Sequence, residues 1–250
     1  MSLKRWKLII EYDGTNYSGW QRQNTAPSIQ QAIEDAITKF CQQDLRLTAA
    51  GRTDAGVHAC GQVAHFDLDY GDRLLSGHDL AKALNAHLRP HPVAILQAEI
   101  ADSDFHARFS ATNKMYRYQI LNRPGPATFQ RTQVWHVKHP LDAEKMHDAA
   151  QVLIGHHDFT TFRDSQCQSK SPEKTLDRLD VRRQGDLIII EAEARSFLHH
   201  QIRNFAGTLA LVGQGKWTAQ QVRDALEAKD RTKGGPTAPP SGLFLFRVDY

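Results

Sequence analysis

Residues 50–65 read AGRTDAGVHACGQVAH, and they place one acidic residue, Asp54, between two glycines, Gly51 and Gly56. Apolar, strand-like residues lead into this segment and out of it. Glycine lets the backbone turn where other residues would clash, so a short loop can hold a carboxylate at its apex. Asp54 is therefore either a reactive group or only the residue that forms an Asx-turn, because Asp and Gly are the commonest turn residues.

Hydrophobic periodicity over residues 1–108 predicts the element order β-α-β-β-α-β around that loop. Strands are predicted at residues 4–12, 45–51, 62–69 and 93–100. One helix is predicted from Ser28, where Gln31 completes a capping box, to Phe40, and a second over residues 79–88. This order is the split β-α-β arrangement of ferredoxin-like folds.

Residues 109–250 repeat this outline more loosely. Strands are predicted at residues 115–121, 132–138, 176–183, 187–194 and 243–250, and helices at residues 142–154, 202–213 and from 218 onward. The polar, proline-containing stretches 166–173 and 232–241 are predicted to be mobile loops. The prediction is therefore an α+β protein of two ferredoxin-like units, residues 1–108 and 109–250, with antiparallel sheets and a central cleft in which a ligand can bind.

Composition narrows the class of protein. The chain has 250 residues, 40% of them hydrophobic, which is enough for a core and for one or two domains. No apolar run approaches the roughly 20 residues that span a bilayer, and the first residues lack the pattern of a signal peptide. Cys41, Cys60 and Cys167 are odd in number and far apart, as is typical of a reduced, cytoplasmic protein without a structural zinc site.

The net charge is only +3, but it is unevenly distributed. Acidic residues slightly outnumber basic ones over residues 1–110, whereas basic residues outnumber acidic ones over residues 111–250. A basic second half favours a polyanionic partner, and the 13 histidines can add positive charge near phosphates.

Two further segments combine residue types that carry chemistry. Arg203 lies just after the point where a predicted strand ends and a predicted helix begins. Polar side chains and free backbone N–H groups converge at such a point. Arg203 is either a surface arginine or a guanidinium held against a carboxylate, whose orientation it would fix. Residues 114–118, KMYRY, alternate basic and aromatic side chains along a predicted strand. Tyr116 and Tyr118 can stack on a base while the cations meet phosphates, or they can simply pack on one sheet face.

Metal ligation is an alternative use of the histidines, since His65 and Asp67 are two residues apart and His199 and His200 are adjacent. None of the usual helical zinc spacings, such as HExxH, occurs, and no second acid stands out for a two-carboxylate glycosidase. Taken singly, the segments leave open a catalytic carboxylate, a non-catalytic RNA-binding protein and a metal-dependent hydrolase.

Taken together, the segments closely resemble the TruA family of tRNA pseudouridine synthases along nearly the whole chain. The matching segments are YDGT (12–15), GWQ (19–21), GRTDAGVHA (51–59), FHAR (105–108), K-x-Y-x-Y (114–118), HDF (157–159), FL-x-H-x-x-RN (197–204) and AP-x-x-GL (238–243). The GRTDAGVHA run is highly specific, and the other segments follow in the family's order.

The resemblance implies the pseudouridine synthase fold and an isomerase that converts uridine to pseudouridine at positions 38, 39 and 40, on the 3′ side of the tRNA anticodon stem-loop. It implies that Asp54 is the catalytic aspartate, that Tyr116 stacks on the target base and that Arg203 pairs with Asp54. Arg52 is implied to occupy or steer the space that the flipped nucleotide vacates. The resemblance also implies a homodimer that binds tRNA and uses no cofactor or metal.

Three positions depart from the family pattern. Lys174 precedes Thr175 where an Arg-Thr pair is usual, Gln201 stands where methionine or another apolar residue is frequent, and Phe244 stands where tyrosine is common. None of them is an implied site residue, so we expect these departures to affect packing or tRNA fit and not the class of reaction.

Overall fold

The computed structural model describes residues 3–71 and 74–250. Within these residues the strands are β1 (Leu3–Tyr12), β2 (Thr48–Ala49), β3 (His58–Asp69), β4 (Val93–Ala101), β5 (Asn113–Asn122), β6 (Trp135–Val137), β7 (Gly155–Asp158), β8 (Glu173–Leu176), β9 (Arg178–Gln184), β10 (Leu187–Ala194) and β11 (Leu243–Asp249). The helices are α1 (Ile29–Cys41), α2 (Gly77–Leu88), α3 (Ala143–Ala150), α4 (Gln201–Gly213) and α5 (Ala219–Ala228). This mixture of helices and mainly antiparallel strands confirms the predicted α+β class. None of the described helices has the length and apolar character needed to cross a membrane.

The chain divides into two compact units. The first unit runs up to Thr112 and also includes Leu245–Tyr250, and the second spans Asn113–Phe244. The predicted domains are 1–108 and 109–250. The second unit starts four residues later than the second predicted domain and ends before residues 245–250, which the prediction included in it. Within the first unit β11 pairs with β3, a neighbour that the apolar pattern of β11 does not specify.

In the first unit the strands follow the order β4-β1-β3, antiparallel at each step, and β2 pairs antiparallel with β3. With α1 after β1 and α2 after β3, this is the predicted ferredoxin-like arrangement. On the inner face of the sheet, Leu8 of β1 lies opposite Ala64 of β3 and Ala98 of β4, and all three side chains are buried. The core of the unit therefore lies between this face and the helices.

The predicted start of α1 is confirmed, because the Ser28 hydroxyl accepts the Gln31 N–H at 3.3 Å. The strand predicted at 45–51 is wrong over most of its length and is reduced to β2. The carboxylate of Glu34, on α1, accepts the Leu47 N–H at 3.1 Å. This segment therefore bonds to the helix instead of extending the sheet.

In the second unit β5, β10 and β9 form an antiparallel sheet in that order, and β6 pairs parallel with β5. Ile190 of β10 lies between Tyr118 of β5 and Val181 of β9, and all three are buried on the core face. The helix predicted at 142–154 ends at Ala150 and continues as a 3-10 turn. The pairing of β7 with β8 was not predicted, since each strand has only four residues.

Candidate active site

Asp54 lies in the loop between β2 and β3, and its backbone forms the turn that the sequence indicates. The Val57 N–H donates to the Asp54 carbonyl at 3.1 Å, and Gly56 has a φ of +77°, in the region that favours glycine. The strand predicted to start at Gln62 already begins at His58, so β3 leaves the loop almost directly after the turn. The Asp54 side chain is half-buried.

Backbone atoms of residues 17–20 hold one side of this loop. The Trp20 N–H donates to the Thr53 carbonyl at 3.0 Å, and the Gly56 N–H donates to the Tyr17 carbonyl at 3.3 Å. Gly19 has a φ of +94°, and a Cβ at this position would lie 2.5 Å from the Thr53 carbonyl oxygen. The GWQ segment therefore supports the loop through a close approach that only glycine allows.

Gly19→Ala should both unfold the loop and destabilise the protein, because it combines backbone strain with a collision. We expect the free energy of unfolding to fall by more than about 2 kcal/mol. Gly71 also has a positive φ, of +64°, but among the described residues, its chain neighbours aside, no atom lies within 4 Å of a Cβ there. Gly71→Ala should therefore lower the free energy of unfolding only by the backbone strain, about 1 kcal/mol. Urea unfolding of the two variants checks this, and equal losses would contradict the close packing at Gly19.

Buried side chains hold the other side of the loop. The hydroxyls of Tyr12 and Thr53 are 2.7 Å apart. The Gln62 side-chain amide donates to the Gly51 carbonyl at 2.9 Å. His58 Nδ1 lies 3.1 Å from the Gly14 N–H, which donates to it. The YDGT segment thus also supports the loop, a role that sequence reasoning did not assign.

Arg52 lies on the same loop as Asp54, two residues before it, and its side chain is exposed. The structure thus brings together the two predicted site residues of the first unit, Asp54 and Arg52. Tyr116 and Arg203 lie in the second unit.

His65 and Asp67, considered above as metal ligands, anchor the FHAR segment instead. His65 Nδ1 accepts the Ala107 N–H at 3.1 Å. Asp67 accepts two hydrogen bonds from the Arg5 guanidinium, each of 2.7 Å, and Arg5 also donates to the Phe105 carbonyl at 2.9 Å. The two residues therefore serve to fix the end of the first unit.

The environment of His65 predicts a pH dependence of stability. Burial, with the charges of Arg5 and His106, lowers the pKa of His65 below its ordinary value of 6.5. The unfolded chain therefore binds this proton at a higher pH than the folded chain, so the free energy of unfolding should fall as the pH drops below 6.5. In His65→Asn, whose amide oxygen can still accept the Ala107 N–H, the fall should be shallower. Urea titrations over that range check this, and an unchanged slope would contradict it.

In the second unit the two tyrosines of β5 have different environments. Tyr118 is fully buried and donates its hydroxyl to the Pro239 carbonyl at 2.8 Å, so it belongs to the core. Tyr116 lies opposite Ala192 of β10 and is half-exposed. Its ring meets the Phe197 ring edge to face, with centroids 5.2 Å apart and an interplanar angle of 83°. The contact with Phe197 therefore orients Tyr116, and the sequence motif did not reveal this contact.

Arg203, the third residue of α4, is held in place by the AP-x-x-GL segment. Its Nε donates to the Ala238 carbonyl at 2.8 Å, and the Ala238 N–H donates back to the Arg203 carbonyl at 3.1 Å. The neighbouring Asn204 is buried and donates to the Phe162 carbonyl at 2.8 Å. These bonds rule out the interpretation of Arg203 as an unconstrained surface arginine.

The turn before α4 is fixed by Gln201 and His200. The buried Gln201 side chain accepts the Leu198 N–H at 2.8 Å, which gives this departure from the family pattern a structural role. His200 has a φ of +62°, and its Nδ1 lies 2.7 Å from Asp164 Oδ2. Burial raises the pKa of Asp164, but the hydrogen bond from Gln166 and the charge of His200 outweigh it, so that pKa lies below its ordinary value.

Comparison with known proteins identifies the family of the chain. A sequence model of the family described as tRNA pseudouridine synthase matches residues 8–110 and 149–250. The chain is 54% identical over 248 residues to a tRNA pseudouridine synthase A of Afipia carboxidovorans, covering 99% of this chain and 100% of the relative. It is 55% identical to one of Paramagnetospirillum magneticum, covering 99% and 96%, and 54% identical to one of Caulobacter vibrioides, covering 99% of each. The matches confirm the resemblance drawn from the motifs: the chain belongs to the tRNA pseudouridine synthase family of isomerases.

Proposed function

We propose that this protein isomerises uridine to pseudouridine at positions 38, 39 and 40 of tRNA, in the anticodon stem-loop, with Asp54 as the nucleophile. The observation that carries the proposal is the Asp54 loop, in which a half-buried carboxylate stands on a turn that is supported on both sides. The family membership supports tRNA as the substrate, and the stem-loop positions rest on the motif resemblance.

The reaction explains why a carboxylate suffices. The N1–C1′ bond of the uridine breaks, the freed uracil rotates, and C5 bonds to C1′. C5 loses a proton and N1 gains one, so the composition of the nucleotide is unchanged and the step needs neither an oxidant nor an activated donor. The Asp54 carboxylate can form a covalent bond to C1′ of the ribose or to C6 of the base. Water must be kept from C1′, because its attack would give hydrolysis instead of isomerisation.

The other site residues serve to present the base. A uridine within a stem must leave its stack before C1′ becomes accessible. Stacking on the half-exposed ring of Tyr116 would offset about 1–3 kcal/mol of that cost. We propose that Arg203 pairs with Asp54 and fixes its orientation, and that Arg52 fills the space vacated by the flipped nucleotide. The fixed position of Arg203 against Ala238 supports such a positioning role.

We further propose that the protein acts as a homodimer in the cytoplasm, without a cofactor or metal. The dimer rests on the motif resemblance. The cytoplasmic location rests on the three scattered cysteines.

Nucleoside analysis of a tRNA transcript after incubation with the protein tests the proposal. We expect the amount of pseudouridine to rise at the expense of uridine, with no change in the mass of the RNA. A transcript that is bound but keeps all its uridines would favour the alternative of a non-catalytic RNA-binding protein. The same assay with a chelator tests the alternative of a metal-dependent hydrolase. Such an enzyme would give cleaved products and would lose its activity when the chelator is added.

A further inference from the structure

We propose that the buried hydrogen bond between the hydroxyls of Tyr12 and Thr53 sets the position of Asp54 for the reaction, so that both are positioning residues. The inference rests on the proposed role of Asp54 and adds residues to it. Thr53 directly precedes Asp54 in the chain, and its Oγ1 lies 2.7 Å from the Tyr12 hydroxyl oxygen.

Tyr12 is a rigid support. It is the last residue of β1 and is only 3% exposed. Its backbone lies between Ala59 of β3 and Val93 of β4, so it is paired on both sides within the sheet. Its ring also packs against the Trp20 ring, with centroids 5.9 Å apart. The hydroxyl therefore stands at a fixed point at the end of the sheet.

Thr53 receives this support on its side chain and a second one on its backbone. Its carbonyl accepts the Trp20 N–H at 3.0 Å, and the residue is 7% exposed. Burial raises the pKa of the Tyr12 hydroxyl far above its usual range, so the hydroxyl keeps its proton at any working pH. Because the hydroxyl and the carbonyl of Thr53 are both hydrogen-bonded, the peptide that leads to Asp54 has little freedom of rotation.

The pair is better explained by positioning than by stability. Buried hydroxyls must be hydrogen-bonded, and replacing both partners with apolar groups of the same shape is often nearly neutral for stability. A Phe–Val pair would therefore fill the same space, although it would also remove the hydrogen bond between the Tyr12 hydroxyl and the Gln62 side chain. It would lack the directional bond that fixes the loop, and a displacement of about 1 Å at a reacting group can cost about 100-fold in rate.

The test compares four variants, Tyr12→Phe, Thr53→Val, the double variant and Thr53→Ser, by their kcat and KM for pseudouridine formation in tRNA. We expect Tyr12→Phe and Thr53→Val each to lower kcat by about 10-fold to 100-fold with little change in KM. The double variant should be no slower than the slower single one, because both remove the same bond. Thr53→Ser keeps the hydroxyl and should restore kcat to near that of the parent.

Tyr250→Phe is the matched control, since the Tyr250 hydroxyl donates to the Ala107 carbonyl at 2.8 Å in the same unit. It should lower the melting temperature without changing kcat. The inference is overturned if Tyr12→Phe and Thr53→Val keep the parent's kcat well below their melting temperatures, or lose no more than Tyr250→Phe. If Tyr12→Phe does not fold, the contrast between Thr53→Val and Thr53→Ser decides. An inactive parent would instead be a failure of the proposed function.

Discussion

Replacing Asp54 with asparagine should abolish pseudouridine formation while leaving the affinity for tRNA nearly unchanged. The amide has almost the same shape as the carboxylate, so the supported loop should keep its conformation. It has no negative charge and cannot form the proposed covalent bond to the substrate. We expect turnover to fall below detection, a loss of at least about 1,000-fold. Single-turnover assays and filter binding on the same tRNA measure the two quantities.

Asp44→Asn is the matched control for this variant. Asp44 is another acidic residue of the first unit. It lies a few positions before β2, and its side chain is 72% exposed and contacts Arg46. Its amide variant should keep the parent's activity. Turnover by Asp54→Asn comparable to that of the parent would remove Asp54 from the reaction.

Tyr116→Ala should give the second large loss, because it removes the proposed stacking surface. Stacking of about 1–3 kcal/mol corresponds to a fall in kcat/KM of roughly 5-fold to 150-fold. Tyr116→Phe keeps the ring and its edge-to-face contact with Phe197, so it should lose only what the hydroxyl contributes. Steady-state kinetics on an anticodon stem-loop measure both variants.

Tyr70→Ala controls for the loss of a tyrosine ring as such. Tyr70 is half-exposed and stacks on Phe40, with centroids 5.3 Å apart, in the first unit. It should leave kcat/KM unchanged. If Tyr116→Ala were as active as Tyr70→Ala, the proposal that Tyr116 holds the target base would be refuted.

Much of the fold follows from local patterns in the sequence. Alternating apolar residues place β1, and the Ser28 cap places α1, because these signals act within a few residues. The shortening of β2 has a distant cause, since Glu34 takes the Leu47 N–H that a longer strand would use. The pairing of β11 with β3 is likewise a choice of neighbour, which periodicity does not encode.

In the candidate site, too, the features encoded by neighbouring residues are predictable and those that depend on distant residues are not. The motif containing Asp54 was evident because its residues are consecutive. The contacts that hold the loop join residues far apart in the chain, as in the bond between Tyr12 and Thr53. Gly19 gave one usable signal, a glycine beside a tryptophan in a polar segment, but the sequence did not indicate which backbone it approaches. Short motifs thus identify reacting groups more readily than the residues that position them.

As proposed above, this protein makes pseudouridine in the anticodon stem-loop through Asp54. Carbodiimide labelling followed by primer extension on a treated tRNA transcript tests it most directly, because it maps each pseudouridine to one nucleotide. After treatment with the parent protein, the primer-extension stops should map pseudouridine to positions 38 to 40. After treatment with Asp54→Asn there should be no such stops. Stops elsewhere in the tRNA only, or the same stops with Asp54→Asn, would contradict the claim.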